Sequence, residues 1–154
     1  MPPHGNRVLH DGEYRIAANG IVHWCRVAGA RHQSMPLVII HGGPGGNNYA
    51  FERTIGPRLE QLTTVIYYEQ RGCGRSEAPA EPEAYSLPLL VADLEALRQA
   101  WRQERIIPLG YSFGGEVALE YALAHPDRVS KLIVQAPGVG DADQIAYVQL
   151  AGFT

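Results

Sequence analysis

The sequence predicts an α/β fold: a mostly parallel sheet with helices on both faces and an antiparallel hairpin at its N-terminal edge. Three observations carry this. Leu37 to Ile40 and Val65 to Tyr68 are continuous apolar runs, the pattern of strands buried on both faces of a parallel sheet. Helical patterns alternate with such runs, as in βαβ units. Asn19-Gly20 separates two strand-like runs, Glu13 to Ile16 and Ile21 to Val27. Asn-Gly is a strong hairpin signal because both residues tolerate positive φ.

The remaining elements follow in order. Tyr49 to Leu62 carry a helical pattern broken at Gly56-Pro57, and Arg71 to Ser76 form a glycine-rich loop. Ser86 is the expected N-cap of a helix with Pro88 in its first turn. Leu90, Leu94, Leu97 and Trp101 then fall at helical spacing and make one apolar stripe. A strand is expected from Arg105 to Leu109, then a helix from Phe113 to about Ala124, stopped by His125-Pro126. Lys131 to Ala136 reads as the last strand. Pro108 lacks a ladder donor, so it is expected near the end of its strand.

The composition fits a single ordinary globular domain of 154 residues, 45% hydrophobic and 19% charged, with net charge −3. Basic residues are scattered singly, which gives no footprint for nucleic acid. The N-terminus lacks the apolar core of a signal peptide, and no run approaches the roughly 18 apolar residues of a membrane span. Cys25 and Cys73 are the only cysteines and have no metal-ligand spacing. A soluble, cytoplasmic protein without metal or cofactor is expected.

Two glycine-rich turns carry the chemistry. Gly110-Tyr111-Ser112-Phe113-Gly114 lies between a predicted strand and a predicted helix. A nucleophilic serine needs such a sharp, strained turn, with small residues two positions to either side. Gly115 then lets the helix approach the sheet, and the helix N-terminus favours developing negative charge. The second turn, His41-Gly42-Gly43-Pro44-Gly45, follows the first buried strand. It lacks the pattern of either a mononucleotide or a dinucleotide phosphate loop. Its exposed amides suit an oxyanion hole, and the expected donors are the N–H groups of Gly43 and Phe113. His41, Gly42, Pro44, Gly45, Gly110 and Gly114 are assigned to shaping the two turns. Arg71 and Arg75 are expected to fix loops through backbone carbonyls rather than clamp a substrate carboxylate. Cys73 is expected to be a small buried residue.

Together with Glu69-Gln70-Arg71-Gly72-Cys73-Gly74-Arg75-Ser76, these motifs resemble the proline iminopeptidase group of the α/β-hydrolase superfamily. The resemblance runs from the first hairpin to about Ala136. It implies a serine hydrolase acting on small peptide or amide substrates near a free amine. It also implies the oxyanion-loop role for His41. Relatives with similar motifs include esterases and carbon–carbon bond hydrolases, so those remain alternatives, as does a non-catalytic binding module. Glu69 departs from the aspartate usual in that group, at a position read as structural.

In this fold the catalytic order is serine, then acid, then histidine. After Ser112 the sole histidine is His125, at the far end of a helix about 18 Å long. Gln135 stands where some relatives place the acid, and Asp141 and Asp143 are weaker candidates. The expected division is therefore 1–137 as the N-terminal part of the core and 138–154 as the start of a cap. The C-terminal strands and most of the cap would lie beyond Thr154. A shortened chain, a cleaved protein and a natural half are all compatible with this. A complementary C-terminal polypeptide or the missing remainder of the chain is therefore expected, and the chain alone is expected to be nearly inactive.

Overall fold

The computed structural model describes residues 6–137. Six strands form one sheet: β1 (Gly12–Ala18), β2 (Ile21–Ala28), β3 (Leu37–Ile40), β4 (Val65–Tyr68), β5 (Ile107–Tyr111) and β6 (Ile133–Gln135). Their spatial order is β1-β2-β4-β3-β5-β6. The β1–β2 and β2–β4 pairs are antiparallel, whereas β4–β3, β3–β5 and β5–β6 are parallel. Asn19 and Gly20, with φ of 50° and 79°, turn the hairpin as the sequence predicts.

Helices cover both faces. Against one lie α3 (Leu87–Ala100) and α4 (Phe113–Ala124), whose Leu90, Leu94, Leu97, Val117 and Tyr121 pack on Val38, Ile40, Ile66 and Tyr68. Against the other lie α1 (Tyr49–Thr54) and α2 (Gly56–Glu60), through Phe51 and Leu59. All four residues of β3 and of β4 are buried, as continuous apolar runs require. The Ser86 hydroxyl caps α3 by accepting from the Leu89 N–H.

The strand boundaries need two corrections. β5 runs from Ile107 to Tyr111 rather than from Arg105 to Leu109, because Gly110 pairs with Ile40 and Tyr111 with Gln135. Pro108 is therefore the second residue of β5, near its beginning. The Ile107 N–H donates to Pro36 on the β3 side, so by alternation the Pro108 nitrogen faces the β6 side. The β5–β6 register begins only at Leu109 and Ile133, so no ladder bond is lost. β6 is shorter than predicted and stops before Ala136, which has φ of 42°. Asp141, Asp143 and the expected cap from 138 onward lie outside the described residues.

Glu95 ties α3 to α4. Its carboxylate accepts from Arg98, Gln99 and the Tyr121 hydroxyl. Burial pushes this carboxyl up, but those donors outweigh it and hold the group at about 2, against an ordinary 4.5. A depressed acid stabilises the fold above its unfolded value, and that stability is lost as pH falls from about 4.5 toward 2. Urea midpoints should therefore fall more steeply below pH 5 in the wild-type protein than in Glu95→Gln. Parallel pH profiles would remove Glu95 as the cause.

Candidate active site

Ser112 is the residue between β5 and α4, and the backbone there leaves little freedom. Its φ of 52° and ψ of −129° are strained for a residue with a side chain. A Cβ on Gly110 would stand 2.1 Å from the Gly114 carbonyl oxygen. One on Gly114 would stand 2.1 Å from the Ile40 carbonyl oxygen, and one on Gly115 would stand 2.9 Å from Val134. Glycine at these positions is what permits the turn. The Ser112 N–H donates to the Gln135 carbonyl and its own carbonyl accepts from Gly115. Its side chain is exposed and caps no helix amide.

Relief of such strain is worth about 1–3 kcal/mol. Glycine would give back about 0.4–1 kcal/mol through a freer unfolded chain. Ser112→Gly should accordingly stabilise the protein by about 1 kcal/mol, read as a higher urea midpoint. A lower midpoint would mean that the turn is not strained.

β3 and β5 are parallel neighbours, with Ile40 opposite Gly110, so the segments leaving their C-terminal ends emerge side by side. The loop after β3 accordingly meets the Ser112 turn: a Cβ on Gly42 would lie 3.1 Å from the Ser112 Cβ and 3.2 Å from the Tyr111 carbonyl oxygen. Gly43 and Gly45 take φ of 144° and 83°, and the Gly43–Pro44 peptide is cis. Among the described residues, neither the Gly43 N–H nor the Phe113 N–H has a hydrogen-bond acceptor in the protein. Phe113 opens α4, where first-turn amides have no partner within the helix.

His41 is fully buried beneath this loop. Its Nε2 accepts from the Gln70 N–H at 3.0 Å, so the proton sits on Nδ1, which donates to the Gly42 carbonyl at 2.7 Å. Burial lowers its pKa, which favours this neutral form. With both nitrogens engaged, His41 holds the turn and is not free to accept a proton from Ser112. The Gln70 amide adds a bond to the His41 carbonyl.

The neighbouring charges are structural as well. The buried Glu69 carboxylate accepts from the Asn48 N–H and from the Arg75 backbone and guanidinium. Burial raises this carboxyl, but the Arg75 bonds outweigh it and hold it below the ordinary range. Arg75 also pairs with Glu52 and lies 3.2 Å over the Trp24 ring. Arg71 pairs through two bonds with Asp93 and donates to the Ala84 carbonyl. Both arginines fix loops as predicted, but carboxylates are their main partners where the sequence suggested carbonyls. Cys73 is buried, and burial raises its thiol pKa, as it does for Cys25, pushed up to about 12.

His125 caps the opposite end of α4 from Ser112 and its ring packs on Tyr121. The Gln135 backbone stands beside the Ser112 turn. Sequence reasoning missed Gln70, Asn48 and Tyr111 as contacts of the site, and nothing in local spacing marks them. It also missed Asp93, although an acid three residues after Leu90 on the apolar face of α3 was a usable signal. Among the described residues, no His, Cys, Asp or Glu cluster is placed to hold a metal ion, and no helix is long and apolar enough to cross a membrane.

A family model described as the alpha/beta hydrolase fold matches residues 35–153. A proline iminopeptidase of Lactobacillus helveticus is 35% identical over 126 residues, covering 80% of this chain and 43% of that protein. Among solved structures, a proline iminopeptidase-related protein of Thermus thermophilus superposes with a TM-score of 0.78 at 32% identity, covering 86% of this chain and 46% of that one. Epoxide hydrolase A of Mycobacterium thermoresistibile gives a TM-score of 0.74 at 30% identity, covering 93% and 46%. The chain thus spans less than half the length of these relatives. Its sheet order, its two glycine-rich turns and the family match agree: the chain belongs to the α/β-hydrolase fold family.

Proposed function

We propose that Ser112 is the nucleophile of a serine hydrolase, with the Gly43 and Phe113 amides as its oxyanion hole. One observation carries the reading: an exposed hydroxyl on a strained strand-to-helix turn, packed against a glycine loop, with the Gly43 and Phe113 amides of the two turns lacking an acceptor among the described residues. The Ser112 Oγ attacks the substrate carbonyl carbon as a base takes its proton. The carbonyl oxygen becomes an oxyanion held by the two N–H groups, and each such donor is worth about 10² to 10³ in rate. His41, Gly42, Pro44, Gly45, Gly110 and Gly114 shape the two turns.

On this reading the base and its acid lie outside the described residues. His125 is about 18 Å away along α4, and His41 has both nitrogens engaged. A complementary C-terminal portion also suits the half-exposed Ile133 on edge strand β6 and the exposed Leu123 on α4. The isolated chain is then nearly inactive. Similarity to proline iminopeptidases favours a small peptide or amide substrate near a free amine. A carbon–carbon bond substrate is the second reading, supported by the 30% identity to a meta-cleavage product hydrolase from Pseudomonas fluorescens, and an ester is an alternative within the same fold. Two buried free cysteines suit a reducing, cytoplasmic setting.

A fluorophosphonate probe should label Ser112 when the C-terminal polypeptide is supplied. Absence of labelling in a folded, complete assembly would leave a non-catalytic module as the better description. Proline anilides assayed against short acyl esters then separate the two substrate classes.

A further inference from the structure

Tyr111, the last residue of β5, precedes Ser112 in the chain, yet its side chain reaches toward the other glycine turn. Its hydroxyl donates to the Asn47 carbonyl at 3.2 Å, at the far end of the loop that begins at His41. Its ring lies against the near end of the same loop, since a Cβ on Gly42 would stand 3.4 Å from Tyr111 Cε2. A third contact is with α1: the Tyr111 and Phe51 rings stack at 5.4 Å and 10°. Phe51 is buried and packs edge-on against Tyr67 of β4. One side chain therefore touches both ends of the Gly42–Asn47 segment and the helix that follows it.

We propose that Tyr111 is a positioning residue that sets the Gly43 amide relative to the Ser112 hydroxyl. This rests on the reading of those two groups as oxyanion donor and nucleophile. The physical reason is that two separate turns must hold one geometry to within a fraction of an ångström for a donor to match a developing oxyanion. Other polar anchors of the loop, Gln70 on His41 and Glu69 on Asn48, come from the exit of β4 and fix it relative to that strand. Tyr111 ties it to the residue adjacent to Ser112. The stack on Phe51 holds the ring, and the phenol completes the link by its bond to Asn47. Removing the hydroxyl alone should loosen the Asn47 end of the loop, and removing the ring should loosen the whole loop.

Backbone ¹⁵N order parameters on the 154-residue chain test this directly. Gly43, Gly45 and Gly46 should be near the rigid value of about 0.85 in the wild-type protein and below about 0.6 in Tyr111→Ala. Tyr111→Phe, which keeps the ring stack, should fall between them. Leu94 and Leu97 amides on α3 should change in neither variant. The proposal is overturned if the loop stays rigid in a folded Tyr111→Ala, or if α3 loosens as much as the loop. Should Tyr111→Ala not fold, a Tyr111→Phe loop as ordered as wild type overturns it equally. In the completed protein, Tyr111→Phe should also slow fluorophosphonate labelling of Ser112 several-fold. If the wild-type protein shows no labelling at all, the hydrolase reading fails while the loop measurement still decides whether Tyr111 orders the turn.

Discussion

If Ser112 is the nucleophile proposed above, replacing it by alanine should lower kcat by about 10⁶ in an assembly that contains the proposed C-terminal portion, the scale on which loss of a triad serine is felt. The structure makes this variant a clean one. The Ser112 side chain caps no helix amide, so alanine removes no bond that supports the fold. Its N–H to Gln135 and its carbonyl to Gly115 are backbone bonds that alanine keeps. Stability should therefore stay within about 0.5 kcal/mol of wild type, as for other exposed substitutions. Single-turnover hydrolysis and a urea melt, run on the same sample, check both halves. Retained activity would remove Ser112 as nucleophile, whereas a large loss of stability would show that its hydroxyl has a structural partner.

Removing Asp93 should have the largest effect on folding. Its carboxylate is 1% exposed and takes two 2.7 Å bonds from Arg71, itself 4% exposed, and a third from the Asn19 side chain in the β1–β2 turn. The pair thus joins the hairpin, the loop after β4 and helix α3. Asp93→Ala leaves a guanidinium buried without its counter-charge, which costs about 3–5 kcal/mol. Domains are stable by only about 5–15 kcal/mol, so such a loss would consume a large part of the total. The thermal midpoint should fall on the order of 10 °C. Substituting both partners with apolar residues, Asp93→Leu with Arg71→Met, should cost less than Asp93→Ala alone, because no unpaired charge remains. If Asp93→Ala melts within a degree of wild type, the pair contributes little and another contact holds the hairpin to α3.

The departures from the sequence reading have one origin. Gly110 reads locally as a turn residue, which puts strand β5 two residues early, and its pairing with Ile40 depends on a strand far back in the chain. Local sequence points Arg71 at carbonyls because its carboxylate partner Asp93 is distant in the chain, whereas Arg75 pairs with the nearby Glu69 as well as with Glu52. Tyr111 looks like a filler between Gly110 and Ser112, and only its contacts with Asn47 and Phe51 give it a role. By contrast, the hairpin at Asn19-Gly20, the cap at Ser86 and the stop at His125-Pro126 rest on signals within a few residues, and each stands where it is expected.

The amino-acid sequence by itself determined the order of strands and helices and the two glycine turns. These are local matters of φ, side-chain size and apolar period, settled between near neighbours. Tertiary structure decided that the turns meet. Parallel pairing of β3 with β5 brings Gly42 against Ser112, and His41, the Glu69–Gln70 pair and Tyr111 then hold that contact from three separate segments. Register between strands this far apart in the chain is set by packing on both faces of the sheet, a property that no short stretch of sequence contains.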